Sequence, residues 1–260
     1  MSECLAAVDR LPRSGNTVGM SGYQQQQQTH QYVGGGQVQL ESGLPKFMAG
    51  VYGWMAAGIG VTAGVALFAS QSQQFLSMMY GPMGLTGIGY VILFAPLVLC
   101  FILPNRIPTM SPGGAVALFM VFASMIGLSL AYVPLIYSGS SILQILLATV
   151  GMFGGMAALG FVTKKDLTGV GQFLLMALMG AIIASIIGML FNTGSMMSML
   201  ISAIVAVVSA GLTAYHTQAI KQLYLTQGGR GNLAIVGALA LYINFLNLFL
   251  SLLRLFGGRD

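Results

Sequence analysis

From Phe47 onward the chain is written as long apolar blocks separated by short polar breaks. Within a block apolar and polar positions do not alternate, so the blocks do not read as strands of a membrane barrel. A run of roughly 18 or more apolar residues is the length a helix needs to cross about 30 Å of hydrocarbon. Seven blocks reach it, over roughly 47–69, 83–103, 113–137, 141–162, 170–191, 196–224 and 232–256. The pattern predicts an all-α polytopic membrane protein, a seven-transmembrane-helix bundle spanning residues 46–260 with the lipid bilayer as its solvent.

The segment before the first block is of another kind. Residues 1–45 include the stretch "SGYQQQQQTHQYVGGGQVQ", whose glutamine and glycine content cannot bury enough apolar surface to fold. A disordered tail is expected there, with His30 a solvated side chain. Because the first apolar run begins only at Phe47, no signal peptide is expected and the first span should itself direct insertion. Cys4 falls in this tail and Cys100 near one end of the second span, so no disulfide is predicted.

Charge then orients the bundle. Only 6% of residues are Asp, Glu, Lys or Arg, against 56% hydrophobic, where a soluble domain carries about a quarter charged. The net charge of +5 does not signal nucleic acid, because the basic residues form no patch with interleaved aromatics. They sit in the tail and in alternate loops: Arg10, Arg13 and Lys46, then Arg106, then Lys164 and Lys165, then Lys221 and Arg230. The intervening loops, around "SQSQQFLSMMYG", "SGSS" and "FNTGS", carry none. The positive-inside rule therefore places the N-terminus and the basic loops in the cytoplasm and the C-terminus outside. Arg254 and Arg259 are the exceptions, able to snorkel to the interface.

Helices in lipid associate by close packing, which small residues four apart permit. Gly60 with Gly64, Gly151 with Gly155, and the series Gly180, Ala184, Gly188 have that spacing; packing inside the bundle is expected of them, with a dimer interface as the alternative. Pro96 and Pro134 fall inside spans two and three, where each removes a helical hydrogen bond and should kink its helix.

The chemistry available at depth is sparse. All five acids, Glu3, Asp9, Glu41, Asp166 and Asp260, lie in the tail, a loop or the C-terminus. An intramembrane aspartyl protease is excluded, since it needs two acids within reach of each other. A zinc hydrolase, which typically takes three protein ligands, is poorly served by two histidines, and no serine sits in a recognisable nucleophile motif. No catalytic residues, metal site or cofactor are predicted. What remains are His216 on span six and Asn244 and Asn247 on span seven. At 1.5 Å per residue His216 lies about 14 Å and Asn244 about 18 Å from the loop joining these spans, close enough in level for a hydrogen bond.

These same residues carry a family resemblance. "TKKDLTGVGQFLLMALMG", "GLTAYHTQAIKQL" and "GALALYINFLNLFLSLLRLFGGRD" resemble signature segments of the Bax inhibitor-1/YccA family, also called the TMBIM or calcium-leak group. "VDRLPRS" and "VYGWMAAGIGVTAG" look like its bacterial branch. The resemblance implies seven helices with the last one central, in a bacterial inner membrane. It also implies a gate of two aspartates, on spans six and seven, that share a proton and control a pH-sensitive calcium leak. In this chain those positions are His216 and Asn244, while Tyr215, Thr217, Gln218, Tyr242, Asn247 and Arg254 follow the pattern. Arg106 is the nearest counterpart of a basic residue implied at the gate, with Gln218 and Asn247 in support.

Two carboxylates that share a site split their titrations and offer hard oxygens to calcium; an imidazole and an amide do neither. The first expectation is therefore a regulatory membrane protein, in quality control or stress tolerance, with an altered His/Asn gate. A membrane-anchored protease that grips the tail is its expected partner. The second is a pH-sensitive cation leak for calcium ions in which His216 responds to protons.

Overall fold

A computed structural model describes residues 21–258 apart from 82–83, 192–193 and 229–231, with side chains described from 42 onward except at 189–190. The chain divides into two units, 1–42 and 43–260, and the following concerns the second. His30, Cys4, Arg10, Arg13 and the acids Glu3, Asp9, Glu41 and Asp260 thus lie outside the described side chains, as do Arg230 and Arg259. Of the predicted tail, residues 1–20 lie outside the described residues; the backbone is helical from Ser21.

Among the described residues nine α-helices follow in order: α1 Ser21–Gln71, α2 Gln73–Met79, α3 Gly87–Arg106, α4 Pro112–Ser129, α5 Val133–Ile136, α6 Gly139–Val162, α7 Thr168–Phe191, α8 Ser195–Gln227 and α9 Leu233–Phe256. Among the described residues seven segments are long and apolar enough to cross a membrane, beginning with Ser42–Gln71 and ending with Leu233–Phe256. A two-stranded hairpin, Tyr80–Gly81 with Gly84–Leu85, and the short helix α2 fill the connection that the pattern had read only as a polar loop. Side-chain caps make these small elements. Ser72 Oγ accepts from the Phe75 amide, and the Thr86 hydroxyl bonds back to the Met78 carbonyl at 2.5 Å while accepting from the Gly89 amide.

The last helix is the central one. In α9 61% of the membrane-length window is buried inside the protein, against 17–39% in the other six spans. Its side chains reach α4 and α6: Tyr242 packs edge-on against Phe119 and Phe122 of α4, and Phe245 against Phe153 of α6. The Tyr242 hydroxyl lies 2.6 Å from Thr62 of α1. Thr62 has one proton, which its contacts with the Gly58 and Ala123 carbonyls, at 3.0 and 2.9 Å, take up. Tyr242 is therefore the donor of the pair, and α1, α4 and α9 meet in one satisfied knot.

Span three departs from the expected kink. The helix stops at Ser129, residues 130–132 form a turn, and Pro134 is the second residue of the one-turn helix α5. A proline is tolerated in a first turn because no helical acceptor is available for the amide it lacks. Pro96 does lie within α3, where it leaves the Ile92 carbonyl without its helical donor. The Ser129 hydroxyl of α4 supplies one at 2.8 Å, sharing its proton with its own helix's Met125 carbonyl at 3.0 Å, which is how a broken ladder is repaired in an apolar setting.

The expected small-residue packing is also corrected. A Cβ at Gly60, Gly64, Gly151, Gly155 or Gly180 would meet nothing within 4 Å, so these glycines face out of the bundle. Close approach is made elsewhere: a Cβ on Gly160 would run into the Ala214 backbone, and one on Gly127 into the Thr62 carbonyl at 2.7 Å. Four-residue spacing marks a helix face, but the face turned inward here is the one carrying Phe153, Ala157 and Gly160 on α6.

Candidate functional site

The site is built by two antiparallel helices with a short connection. Gly228 ends α8 in the left-handed region, φ +68°, and its amide closes on the Tyr224 carbonyl. Asn232 then anchors the start of α9: its buried amide donates to the Ile107 carbonyl at 2.8 Å and the Met110 carbonyl at 2.7 Å. With both ends fixed, comparable climbs from the loop bring the two side chains within reach of each other.

His216 and Asn244 meet as their levels predict. Asn244 is 2% exposed, and its Nδ2 lies 2.7 Å from Nδ1 of His216. An amide nitrogen only donates, so Nδ1 accepts and the imidazole carries its proton on Nε2 as a neutral ring. The Tyr215 ring stands beside it, tilted, with centroids 5.1 Å apart. Both positions that the resemblance assigns to carboxylates are thus occupied by uncharged groups that satisfy one another. Among the described residues no acid lies inside a span.

The supporting residues are placed apart from this pair. Gln218, two residues further toward the basic end of α8, is a clamp on the α6–α7 loop. Its Oε1 accepts from the Leu167 amide at 2.9 Å, and its Nε2 donates to the carbonyls of Thr163 and Lys165 at 3.1 and 2.8 Å. Arg106 is exposed at the end of α3, where its carbonyl accepts from the Thr109 hydroxyl, and it makes no described contact with His216 or Asn244. Asn247 opens onto a cavity of about 220 Å³ toward the other end of the bundle, shared with Ser185, Ser202, Ser251 and Arg254.

Residues that the sequence marked only by their charge, or not at all, complete the basic end. Lys221 donates to the Phe161 carbonyl at 3.1 Å and lies 4.8 Å above that ring, neutralising the carbonyl end of α6. Phe47 stacks on Tyr224 at 4.5 Å, bringing α1 to the same end. Asp166, in the α6–α7 loop, accepts from the Thr168 hydroxyl at 2.6 Å and its amide at 2.9 Å, and these donors hold its carboxyl below the usual aspartate range. A signal for Lys221 existed in the sequence, since it follows His216 by five residues at the polar end of a long apolar block.

Fold and site together define a polytopic all-α membrane protein whose last two helices are joined at depth by a neutral polar pair. Residues 44–260 match the family model described as inhibitor of apoptosis-promoting Bax1, and the chain belongs to that family. It is 38% identical over 227 residues to the inner membrane protein YbhL of Escherichia coli, covering 85% of this chain and 95% of the relative. An uncharacterized protein of Caulobacter vibrioides is 39% identical over 229 residues, covering 84% and 91%. A membrane protein of Streptococcus pyogenes is 31% identical over 227 residues, covering 85% and 96%.

Proposed function

We propose that this chain is a multi-pass inner-membrane protein with a regulatory role, in membrane-protein quality control or stress tolerance, and that His216 and Asn244 act as a latch that keeps it from conducting calcium. The observation that carries the reading is the 2.7 Å bond between their nitrogens. Calcium takes about six to eight oxygen ligands, mostly carboxylate and carbonyl, and the imidazole supplies no oxygen. A neutral bond between helices in a bilayer contributes about 0.6–1 kcal/mol, enough to favour one arrangement of α8 on α9 without any ion. The basic loops support a cytoplasmic placement of that end, and the E. coli relative's name supports the inner membrane. The glutamine-rich N-terminal segment is the handle for a membrane-anchored protease.

The second reading, a pH-sensitive cation leak, draws on the same bond. Protonating Nδ1 turns an acceptor into a donor, so the Asn244 amide must turn its oxygen inward or the bond breaks. Calcium flux into dye-loaded proteoliposomes at about pH 6 and about pH 8 separates the two. The latch reading expects little flux through the natural chain at either pH. It expects a proton-switched leak when His216→Asp and Asn244→Asp are combined, because an ionised pair attracts a divalent cation and one shared proton replaces repulsion by a hydrogen bond. Strong natural flux that survives His216→Ala overturns the latch. Proton-dependent flux that His216→Ala removes favours the leak.

A further inference from the structure

We propose that the cleft between α1 and α6 is a binding site for one anionic phospholipid, with its acyl chain laid along the cleft and its phosphate at the basic end. The cleft has a volume of about 760 Å³, within the range of about 300–1,000 Å³ typical of built ligand sites. Its walls are Tyr52 and Ile59 on one side and Val150, Gly154 and Phe161 on the other, and its floor is Phe245 of α9. It is a gap between two spans through which the central helix is reached. A smaller cavity of about 150 Å³ shares Ile59, Leu146 and Phe245 and carries the same opening on toward the far end.

Its length suits an acyl chain. The wall on α6 runs from Leu146 to Val162, which at 1.5 Å per residue is about 24 Å. One leaflet contributes about half of the roughly 30 Å hydrocarbon thickness, so a chain entering at the basic end lies in the cleft over its whole depth. Tyr52 brings the one hydroxyl to a wall that is otherwise apolar side chains.

The mouth is where the occupant's charge is set. Lys221 bonds the carbonyl of Phe161, the last aromatic of the wall, and that bond uses one of the three donors on its ammonium. Lys164 and Lys165 are exposed directly after α6 ends at Val162. Among the described residues no carboxylate pairs with these three ammoniums, and the neighbouring Asp166 is engaged by Thr168. Each lysine near a membrane surface attracts an anionic lipid by about 1 kcal/mol, whereas a zwitterionic headgroup brings no net charge. A second copy of this chain would bring its own basic end to the same mouth, so charge disfavours it as the occupant.

The test uses the full chain with Trp54, the single tryptophan, replaced by phenylalanine, and Phe161→Trp as a reporter inside the cleft. The protein is reconstituted in phosphatidylcholine vesicles containing increasing amounts of phosphatidylglycerol or further phosphatidylcholine, brominated on the acyl chain. Brominated phosphatidylglycerol is expected to quench the reporter at least about fivefold more effectively per molecule than brominated phosphatidylcholine, the ratio that one lysine's attraction gives. Lys164→Gln with Lys165→Gln should pull that ratio toward one. Gly154→Leu, at a position where an added Cβ meets nothing within 4 Å, should fill the cleft and remove the selective quenching with all the lysines in place. Equal quenching by the two lipids overturns the proposal. So does selective quenching that Gly154→Leu leaves unchanged, since the lysines would then be gathering lipid around the whole rim. Loss of quenching by either lipid, together with disulfide dimers of Ala158→Cys, would put a second copy in the cleft and also overturn it.

Discussion

The Ser129 hydroxyl of α4 lies 2.8 Å from the Ile92 carbonyl of α3, the group that Pro96 deprives of its helical donor. A defect in one helix is thus repaired by the next, and the repair also fixes their register. Ser129→Ala should destabilise the bundle by about 1–2 kcal/mol, since it leaves a carbonyl unpaired in an apolar setting. Pro96→Ala should restore the internal bond and make Ser129 dispensable, so the two changes together cost less than their sum. Unfolding of the four proteins in mixed micelles measures this, and strict additivity would refute the coupling.

Two glycines on one helix should respond in opposite ways. Gly160→Ala forces a methyl against the Ala214 backbone and should cost about 1–3 kcal/mol by overpacking. Gly151→Ala meets nothing within 4 Å and should be neutral or stabilising by up to about 1 kcal/mol through helix propensity. Thermal unfolding in one detergent compares them directly.

Removing the Gln218 clamp should loosen the α6–α7 loop and leave the bundle intact. Gln218→Leu loses three bonds to residues 163–167, each worth about 1 kcal/mol net. Amide exchange at residues 163–168 should rise by about tenfold or more. Exchange in α9 should not change.

Asp166 gives the loop a defined acid limit. Its folded pKa is depressed by the two Thr168 donors, so its contribution is present above the unfolded value of about 3.9 and is lost as pH falls through the folded value. Protection of the Thr168 amide should therefore persist at neutral pH and fade only below about pH 4. Asp166→Asn should weaken it at neutral pH and match the natural chain in strong acid. A fade beginning near pH 6 would contradict the assignment.

What could be read in advance followed from lengths and levels. Seven spans were legible because each is a continuous apolar run, and the meeting of His216 with Asn244 because both climb comparable distances from one short connection. The centrality of α9 came from family resemblance, since its sequence is no more apolar than its neighbours'. Helix α2 and the Tyr80–Leu85 hairpin were hidden because single hydroxyl caps, on Ser72 and Thr86, make them. The inward faces were misjudged because glycine spacing defines a smooth surface without saying what lies against it. Arg106 could be named but not located, because it sits in a polar break whose path depends on Asn232, a residue 126 positions further on.

Gln218 and Lys221 together have a mechanical consequence. One fastens the loop between α6 and α7 to α8, and the other fastens the end of α6 to α8, so these three helices are clasped into a plate at their basic ends. Any rearrangement of the bundle then moves the plate as one body. At that end α1 joins the plate through Phe47 on Tyr224, while further along the gap between α1 and α6 leaves the central helix within reach at Phe245.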